Sequence, residues 1–301
     1  GTAGIFAPEA LNLLGIEVIP LHCDLDASFP NYNPNPEDLK MLKDLGKHVL
    51  AHKADIGFAF DGDGDRVGVV DNNGHEIFAD KIGLLIARNL ATEVSNSKFV
   101  IDVKSTSLFS TDEILKKNNS EIIFWKTGHS YIKRKTSDIS ATAGFERSGH
   151  FFFNNPIGRG YDDGILSALE ILKILDKNEN QTISDLYNEL TITFSSPTMS
   201  PKCPEESKYK LVEKIEEIFQ HKKKNNETVA GQKILSILTV NGVRIHLEDG
   251  SWGLVRASSN SPNLVVVCES AISEERMKEI FNDLNNELMK FNEIGEYDQK
   301  I

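Results

Sequence analysis

The chain has 301 residues, 40% hydrophobic and 26% charged, enough to bury the cores of about two domains or three smaller ones. Its net charge of −12 sets up a field that repels polyanions, which excludes general binding to nucleic acid or to an anionic membrane. No apolar run approaches the ~18 residues of a membrane span, Gly1–Phe6 carries no signal-peptide pattern, and Cys23, Cys203 and Cys268 are isolated thiols that fit a reducing cytoplasm rather than a disulfide framework or zinc site.

In chain order, helical period over Pro8–Leu14 stops at Gly15, and Ile16–Leu21 reads as a short strand. A Pro/Asn-rich loop (Phe29–Pro36) leads to a helix over Glu37–His52. Ile56–Phe60 has the pattern of a buried strand that ends abruptly at Asp61-Gly62-Asp63-Gly64-Asp65-Arg66; strand resumes over Val67–Val70 and turns at Asp71–Gly74. Alternation continues with helix Lys81–Ala91, strand Phe99–Val103, helix Ser107–Asn118, strand Ile122–Trp125 and helix Ile165–Leu175. Composition shifts at Pro197–Pro204, which reads as a linker and hinge. Beyond it come a charged helix, strands at 234–240, 243–247, 253–257 and 264–268, and a last helix over Ser273–Phe291. The predicted class is α/β, with mixed-sheet α/β domains followed by a C-terminal α+β domain.

Asp61, Asp63 and Asp65 sit at alternate positions just past a strand, and the glycines between them let the backbone curl so that three carboxylates face one point. Such hard oxygen donors without His or Cys suit Mg²⁺ or Ca²⁺. A plain solvated turn fits less well, because like charges this close repel unless a cation gathers them. An EF-hand needs Gly at the sixth and Glu at the twelfth position, where Arg66 and Asn72 stand. A haloacid-dehalogenase-type sugar phosphatase, with Asp61 as nucleophile and Asp162-Asp163 as second acidic pair, is the alternative; Gly64-Asp65-Arg66 and the loop-like Gly158–Tyr161 argue against it.

The acidic loop resembles the metal-binding loop of the α-D-phosphohexomutases, bacterial phosphomannomutase/phosphoglucomutase type. Four more segments match that family in order: Asp102-Val103-Lys104-Ser105-Thr106, Lys126-Thr127-Gly128-His129, Gly144-Phe145-Glu146-Arg147-Ser148-Gly149-His150 followed by Asp162-Asp163-Gly164, and Arg256-Ala257-Ser258-Ser259-Asn260-Ser261-Pro262. The resemblance implies an isomerase that moves a phosphoryl group between O1 and O6 of a hexose phosphate through a phosphoserine and a hexose 1,6-bisphosphate. It implies Mg²⁺ on Asp61, Asp63 and Asp65, phosphoryl contact by Arg66, proton transfer or sugar contact by Lys104 and His129, sugar hydroxyls on Glu146 and Ser148, and the non-reacting phosphate on Arg256, Ser258, Ser259 and Asn260. His150 reads as a loop cap and Trp252 as packing.

By the same resemblance, residues 1–78 correspond to the C-terminal part of domain II, 79–196 to domain III and 197–301 to domain IV. No segment resembles the family's Thr-Ala-Ser-His-Asn-Pro phosphoserine loop. The expectation is that this serine belongs to an N-terminal domain packing against residues 1–80, and that the chain by itself binds without turnover.

Overall fold

The computed structural model describes residues 1–299 and 301. Residues 1–190, apart from 125–127, form one compact unit. It opens with α1 (Ala3–Leu13) and α2 (Leu39–His52), followed by β1 (Ile56–Phe60), β2 (Val67–Asp71) and β3 (Glu76–Ile77). These strands make an antiparallel sheet in which Phe58 lies opposite Val69 and Phe60 opposite Val67. α2 starts at an Asp38 cap that accepts from the Lys40 N–H, and it buries Met41, Leu42 and Val49 against Ala59 and Val70.

The rest of the unit comprises α3 (Ala79–Glu93), β4 (Lys98–Asp102), α4 (Leu108–Thr111), α5 (Glu113–Lys117), β5 (Glu121–Trp125), α6 (His129–Asp138), β6 (Ala143–Phe145), β7 (Phe151–Phe153), α7 (Gly164–Lys177) and α8 (Ile183–Asn188). A second sheet runs β5-β4-β6-β7, with β4 and β6 parallel and β6 and β7 antiparallel. One hydrophobic cluster joins Val67, Val69 and Ile77 of the first sheet to Leu84, Phe99, Phe145, Phe151 and Ile171, so the boundary expected at 78/79 crosses a shared core.

Residues 191–301, with 125–127, form the second unit. β8 (Phe194–Ser195), α9 (Lys208–Lys224), β9 (Thr228–Val229), β10 (Gln232–Leu238), β11 (Val243–Leu247), β12 (Trp252–Ala257), β13 (Leu264–Ser270) and α10 (Glu274–Leu288) build an antiparallel sheet of order β8-β13-β12-β11-β10-β9. Ile215 and Phe219 of α9 and Ile280 and Leu284 of α10 share its core with Val255 and Val266. The architecture is therefore mixed α/β, with an all-antiparallel α+β unit at the C-terminal end. No helix among the described residues is long and apolar enough to cross a membrane.

Four local expectations need correction. Residues 16–21 join no sheet among the described residues. The helix expected over 107–118 is broken at Asp112, whose carboxylate caps α5 by accepting from Ile114 and Leu115 N–H while Arg88 grips it at 2.6–2.7 Å. The Pro197–Pro204 segment is no free linker: Met199 and Val266 exchange backbone hydrogen bonds (2.8 and 3.0 Å), laying it beside β13. Helix α1 also begins earlier than Pro8, at Ala3, and it leaves Phe6, Leu13 and Leu14 at 60%, 81% and 63% exposure.

Candidate functional site

In the first unit, the reversal between β1 and β2 carries Asp61, Asp63 and Asp65 with ligand oxygens all within 4.8 Å of one another. Asp61 is buried; its Oδ1 accepts from the Gly64 and Arg66 N–H groups, and its Oδ2 takes Arg66 Nε at 2.6 Å. Burial pushes its pKa up, but Arg66 wins and holds the carboxyl below the usual range. Asp65 faces His150 rather than an arginine. Burial raises it, His150 offsets part of that, and the charges of Asp61 and Asp63 add to the rise, which reaches about 6. A carboxyl held back from ionising by burial and by neighbouring carboxylates marks a place where added positive charge is favoured, so the donor set fits a hard divalent cation. Arg66, expected to contact phosphate, donates through Nε to Asp61 Oδ2 and through Nη1 to Asn35 Oδ1 at 2.9 Å.

The turn between β6 and β7 is fastened to this loop. Arg66 and His150 form a bridge, and Val67 N–H donates to the Gly149 carbonyl at 3.2 Å. Gly149 has φ +97°, and a Cβ there would lie 2.7 Å from the Val67 carbonyl oxygen, so both backbone conformation and space demand glycine. Helix α7 closes the third side: Gly164 N–H donates to the Gly64 carbonyl, which stands 2.7 Å from where a Cβ of Gly164 would be.

These closures gather side chains that are distant in sequence. His150 Nδ1 lies 3.0 Å from Asp162 Oδ2 and 3.5 Å from Asp65 Oδ1. Burial works to lower the His150 pKa; Asp162, Glu146 and Asp65 outweigh it and raise it above the ordinary value. Asp162 is correspondingly held at about 2 against the upward push of burial, with Lys133 Nζ 3.4 Å and His129 Nδ1 3.7 Å away. The His129 and His150 rings stack at 5.6 Å.

Glu146 is buried just past β6. Its Oε1 accepts from the Gly128 N–H at the start of α6 (2.5 Å), and its Oε2 accepts from Ser148 Oγ (3.2 Å). Burial, then the charge of Asp102, push its pKa to about 7, against His150, Lys104 and the Gly128 N–H. Lys104 is itself buried, with Nζ 4.0 Å from Glu37 Oε1.

In the second unit, Arg256 is buried near the end of β12, its Nε donating to Asn241 Oδ1 (3.0 Å) and its Nη2 to Ser259 Oγ (3.1 Å). Ser258 and Ser261 hydroxyls pair at 2.9 Å, and Asn260 N–H approaches Ser258 Oγ at 3.4 Å. The fully buried Lys208 props this loop through a 3.0 Å bond to the Ser261 carbonyl.

Thus Asp61, Asp63, Asp65, Arg66, Lys104, His129, Glu146 and Ser148 lie in the first unit, and Arg256, Ser258, Ser259 and Asn260 in the second. Sequence reading passed over His150 as a cap, missed Lys133, Asn241 and Lys208, and placed Asp162 in the family match without a role there, naming one only in the phosphatase alternative. Three of these sit in helices or turns without local signal. His150 was legible: it ends the matched 144–150 segment, two residues from Ser148.

Models of three successive domains of the phosphoglucomutase/phosphomannomutase family match the chain in order: alpha/beta/alpha domain II at residues 1–74, alpha/beta/alpha domain III at 78–194 and the C-terminal domain at 202–287. Phosphomannomutase/phosphoglucomutase of Pseudomonas aeruginosa is 37% identical over 285 residues, covering 94% of this chain and 58% of the relative. Phosphoglucomutase of Neisseria meningitidis serogroup A is 36% identical over 270 residues, 90% of this chain and 55% of its own. The crystal structure of a phosphoglucomutase/phosphomannomutase family protein from Burkholderia thailandensis superposes with a TM-score of 0.82 at 31% identity, over 96% of this chain and 58% of that one. The chain spans 55–58% of the length of these relatives. With the domain models running in order through nearly all of it, the chain belongs to the phosphoglucomutase/phosphomannomutase family, the α-D-phosphohexomutases.

Proposed function

We propose that this chain supplies the metal, sugar and distal-phosphate sites of an isomerase that moves a phosphoryl group between O1 and O6 of glucose or mannose phosphate. The observation that carries the reading is the closure of three separate segments, 61–66, 146–150 and 162–164, around one cluster of titratable groups in the first unit. Residues 1–78, 79–196 and 197–301 act in this reading as the end of domain II, domain III and domain IV.

Asp61, Asp63 and Asp65 would hold Mg²⁺, which when bound supplies positive charge to the phosphoryl oxygens. Glu146 accepts two neighbouring sugar hydroxyls and Ser148 a third contact. His150, kept protonated by Asp162, and His129 and Lys104 around it, donate to or exchange protons with the reacting sugar oxygen. Arg256 grips the non-reacting phosphate, with the hydroxyls and N–H groups of 258–260 as further donors. Because the sugar must present O1 and then O6, a phosphate loop that reads only charge suits both orientations. In the forward half, the sugar oxygen bonds to phosphorus as the bond to a phosphoserine oxygen breaks, giving the hexose 1,6-bisphosphate; in the return half, the other phosphoryl goes back to that serine.

We place that serine outside residues 1–301, on a domain docking against residues 1–80, where Phe6, Leu13 and Leu14 present an apolar face. We place the enzyme in the cytoplasm, where its three free thiols stay reduced. The test is a coupled assay of the 301-residue chain alone and joined to an upstream phosphoserine domain, with glucose 1-phosphate or mannose 1-phosphate plus a hexose 1,6-bisphosphate. The reading expects isomerisation only from the joined form. Turnover by the chain alone contradicts the placement of the serine, and phosphate release without isomerisation, abolished by Asp61→Asn, would turn the reading into a phosphatase.

A further inference from the structure

Behind the 146–150 turn lies a buried group of charges that the proposed chemistry does not use. Asp80 at the start of α3, Lys81, Asp102 at the end of β4 and Arg147 are each 4% exposed or less. Arg147 Nη1 lies 3.6 Å from Asp80 Oδ2 and 3.4 Å from the Lys104 carbonyl oxygen, to which it donates; its guanidinium sits 5.0 Å over the Phe78 ring. The backbone of the same residue donates to Asp102 Oδ1 at 3.3 Å. Asp80 Oδ2 accepts from the Thr106 N–H at 2.8 Å, and Lys81 Nζ donates to Thr106 Oγ1 at 2.8 Å. Asp102 also accepts from Ser105 Oγ.

The network therefore ties two loops together. One is the 102–106 turn, which carries Lys104; the other is the 146–148 turn, which carries Glu146 and Ser148. The charged end of Arg147 reaches both Asp80 and the Lys104 peptide, while its backbone continues directly into Glu146. A guanidinium suits this place because its planar fork serves a carboxylate and a carbonyl at once, which a lysine ammonium on a flexible stem does not do in a fixed geometry.

We propose that Arg147 is a positioning residue that sets the spacing between Glu146 and Lys104 and thereby the grip on the sugar hydroxyls. This rests on Glu146 being the sugar-binding carboxylate, as proposed above. Removing Arg147 alone strands the Asp80 charge in the core, so the informative variant is the double substitution Asp80→Asn with Arg147→Met, in which Asn keeps an oxygen for the Thr106 N–H. Arg147→Lys is its companion, keeping a positive charge beside Asp80 without the fork.

The experiment titrates the 301-residue chain with glucose 1-phosphate, inorganic phosphate and Mg²⁺ by calorimetry and records Tm for each variant. The double variant is expected to bind glucose 1-phosphate roughly tenfold to hundredfold more weakly, the scale of a misplaced contact group, with inorganic phosphate and Mg²⁺ affinity unchanged. Arg147→Lys is expected to hold Tm near wild type yet recover little of the sugar affinity. A purely structural Arg147 would instead give Lys full recovery of both. Wild-type affinity for glucose 1-phosphate in a folded double variant or in Arg147→Lys, with Glu146→Gln impaired, overturns the inference alone. No binding by wild type, or undiminished binding by Glu146→Gln, removes the sugar reading and this inference with it.

Discussion

The acidic loop and the loop after β12 treat charge in opposite ways. At residues 61–66 three carboxylates crowd together, one neutralised by Arg66 and one, Asp65, raised to about 6 by burial and then by its neighbouring carboxylates, which His150 offsets only in part. At residues 256–261 the buried Arg256 donates to an amide and a hydroxyl, two further hydroxyls pair, and the buried Lys208 supports the loop from Ser261, with no carboxylate in the loop itself. In the proposed reading, the first region holds repulsion that a cation would relieve, while the second is a preformed cradle in which an anion would displace weak hydroxyl–hydroxyl bonds. Substitutions in the first should therefore act strongly and with pH, and those in the second modestly and without it.

The largest effect is expected at Glu146. Its carboxylate accepts charge-assisted bonds worth about 1.5–3 kcal/mol each, so Glu146→Gln should weaken glucose 1-phosphate binding by roughly two orders of magnitude, measured by calorimetry. The pKa of about 7, raised from 4.5, adds a second readout. Because the folded value lies above the unfolded one, this group's contribution to stability is fully present below pH 4.5 and is lost as pH rises through 7, by ~3 kcal/mol at most. Chemical denaturation of Glu146→Gln should show that pH slope flattened. Since sugar hydroxyls favour the ionised form, binding at pH 6–7 should also release a proton, seen as a buffer-dependent heat.

Next comes Gly149→Ala. It meets both a left-handed backbone and the Val67 carbonyl, so a loss of ~2–4 kcal/mol in unfolding free energy is expected, combining conformational strain and overpacking. In the second unit, Lys208→Met removes the bond to the Ser261 carbonyl and should cost ~1–2 kcal/mol of stability and several-fold in inorganic phosphate affinity, with no change in sugar-dependent proton release. Ser259→Ala is expected to be the mildest, a few-fold loss of phosphate affinity at unchanged Tm. A pH-dependent defect in either of these two would erase the contrast between the regions.

Much of this was legible before any coordinates. The alternation of Ile56–Phe60 and Val67–Val70 around an Asp/Gly run placed β1, the acidic loop and β2, and the turn-punctuated runs after residue 232 placed β10 to β13. Elements of three residues escaped: Ala143–Phe145 and Phe151–Phe153 are too short to show a period and are buried on both faces. Helix α6 escaped because Ile132 and Thr136 are all it buries. Ile16–Leu21 looked like a strand by composition, but a strand exists only where a neighbour accepts its hydrogen bonds, and none does among the described residues. At the site, residue types were readable from their motifs, whereas the partnerships were not: that Arg66 would turn back onto Asp61, or His150 reach Asp65 and Asp162, depends on how β2, the 149 turn and α7 close over one another.

The claim on which the rest depends is that Asp61, Asp63 and Asp65 gather one hard divalent cation beside the sugar turn. Calorimetric titration of the metal-free chain with Mg²⁺, wild type against Asp65→Asn, addresses it directly. The account expects a single site in the wild type, weakened in the variant by more than the ~10–100-fold that loss of an outer-shell partner costs, with glucose 1-phosphate binding by the variant retained. Equal Mg²⁺ uptake by both proteins would contradict it.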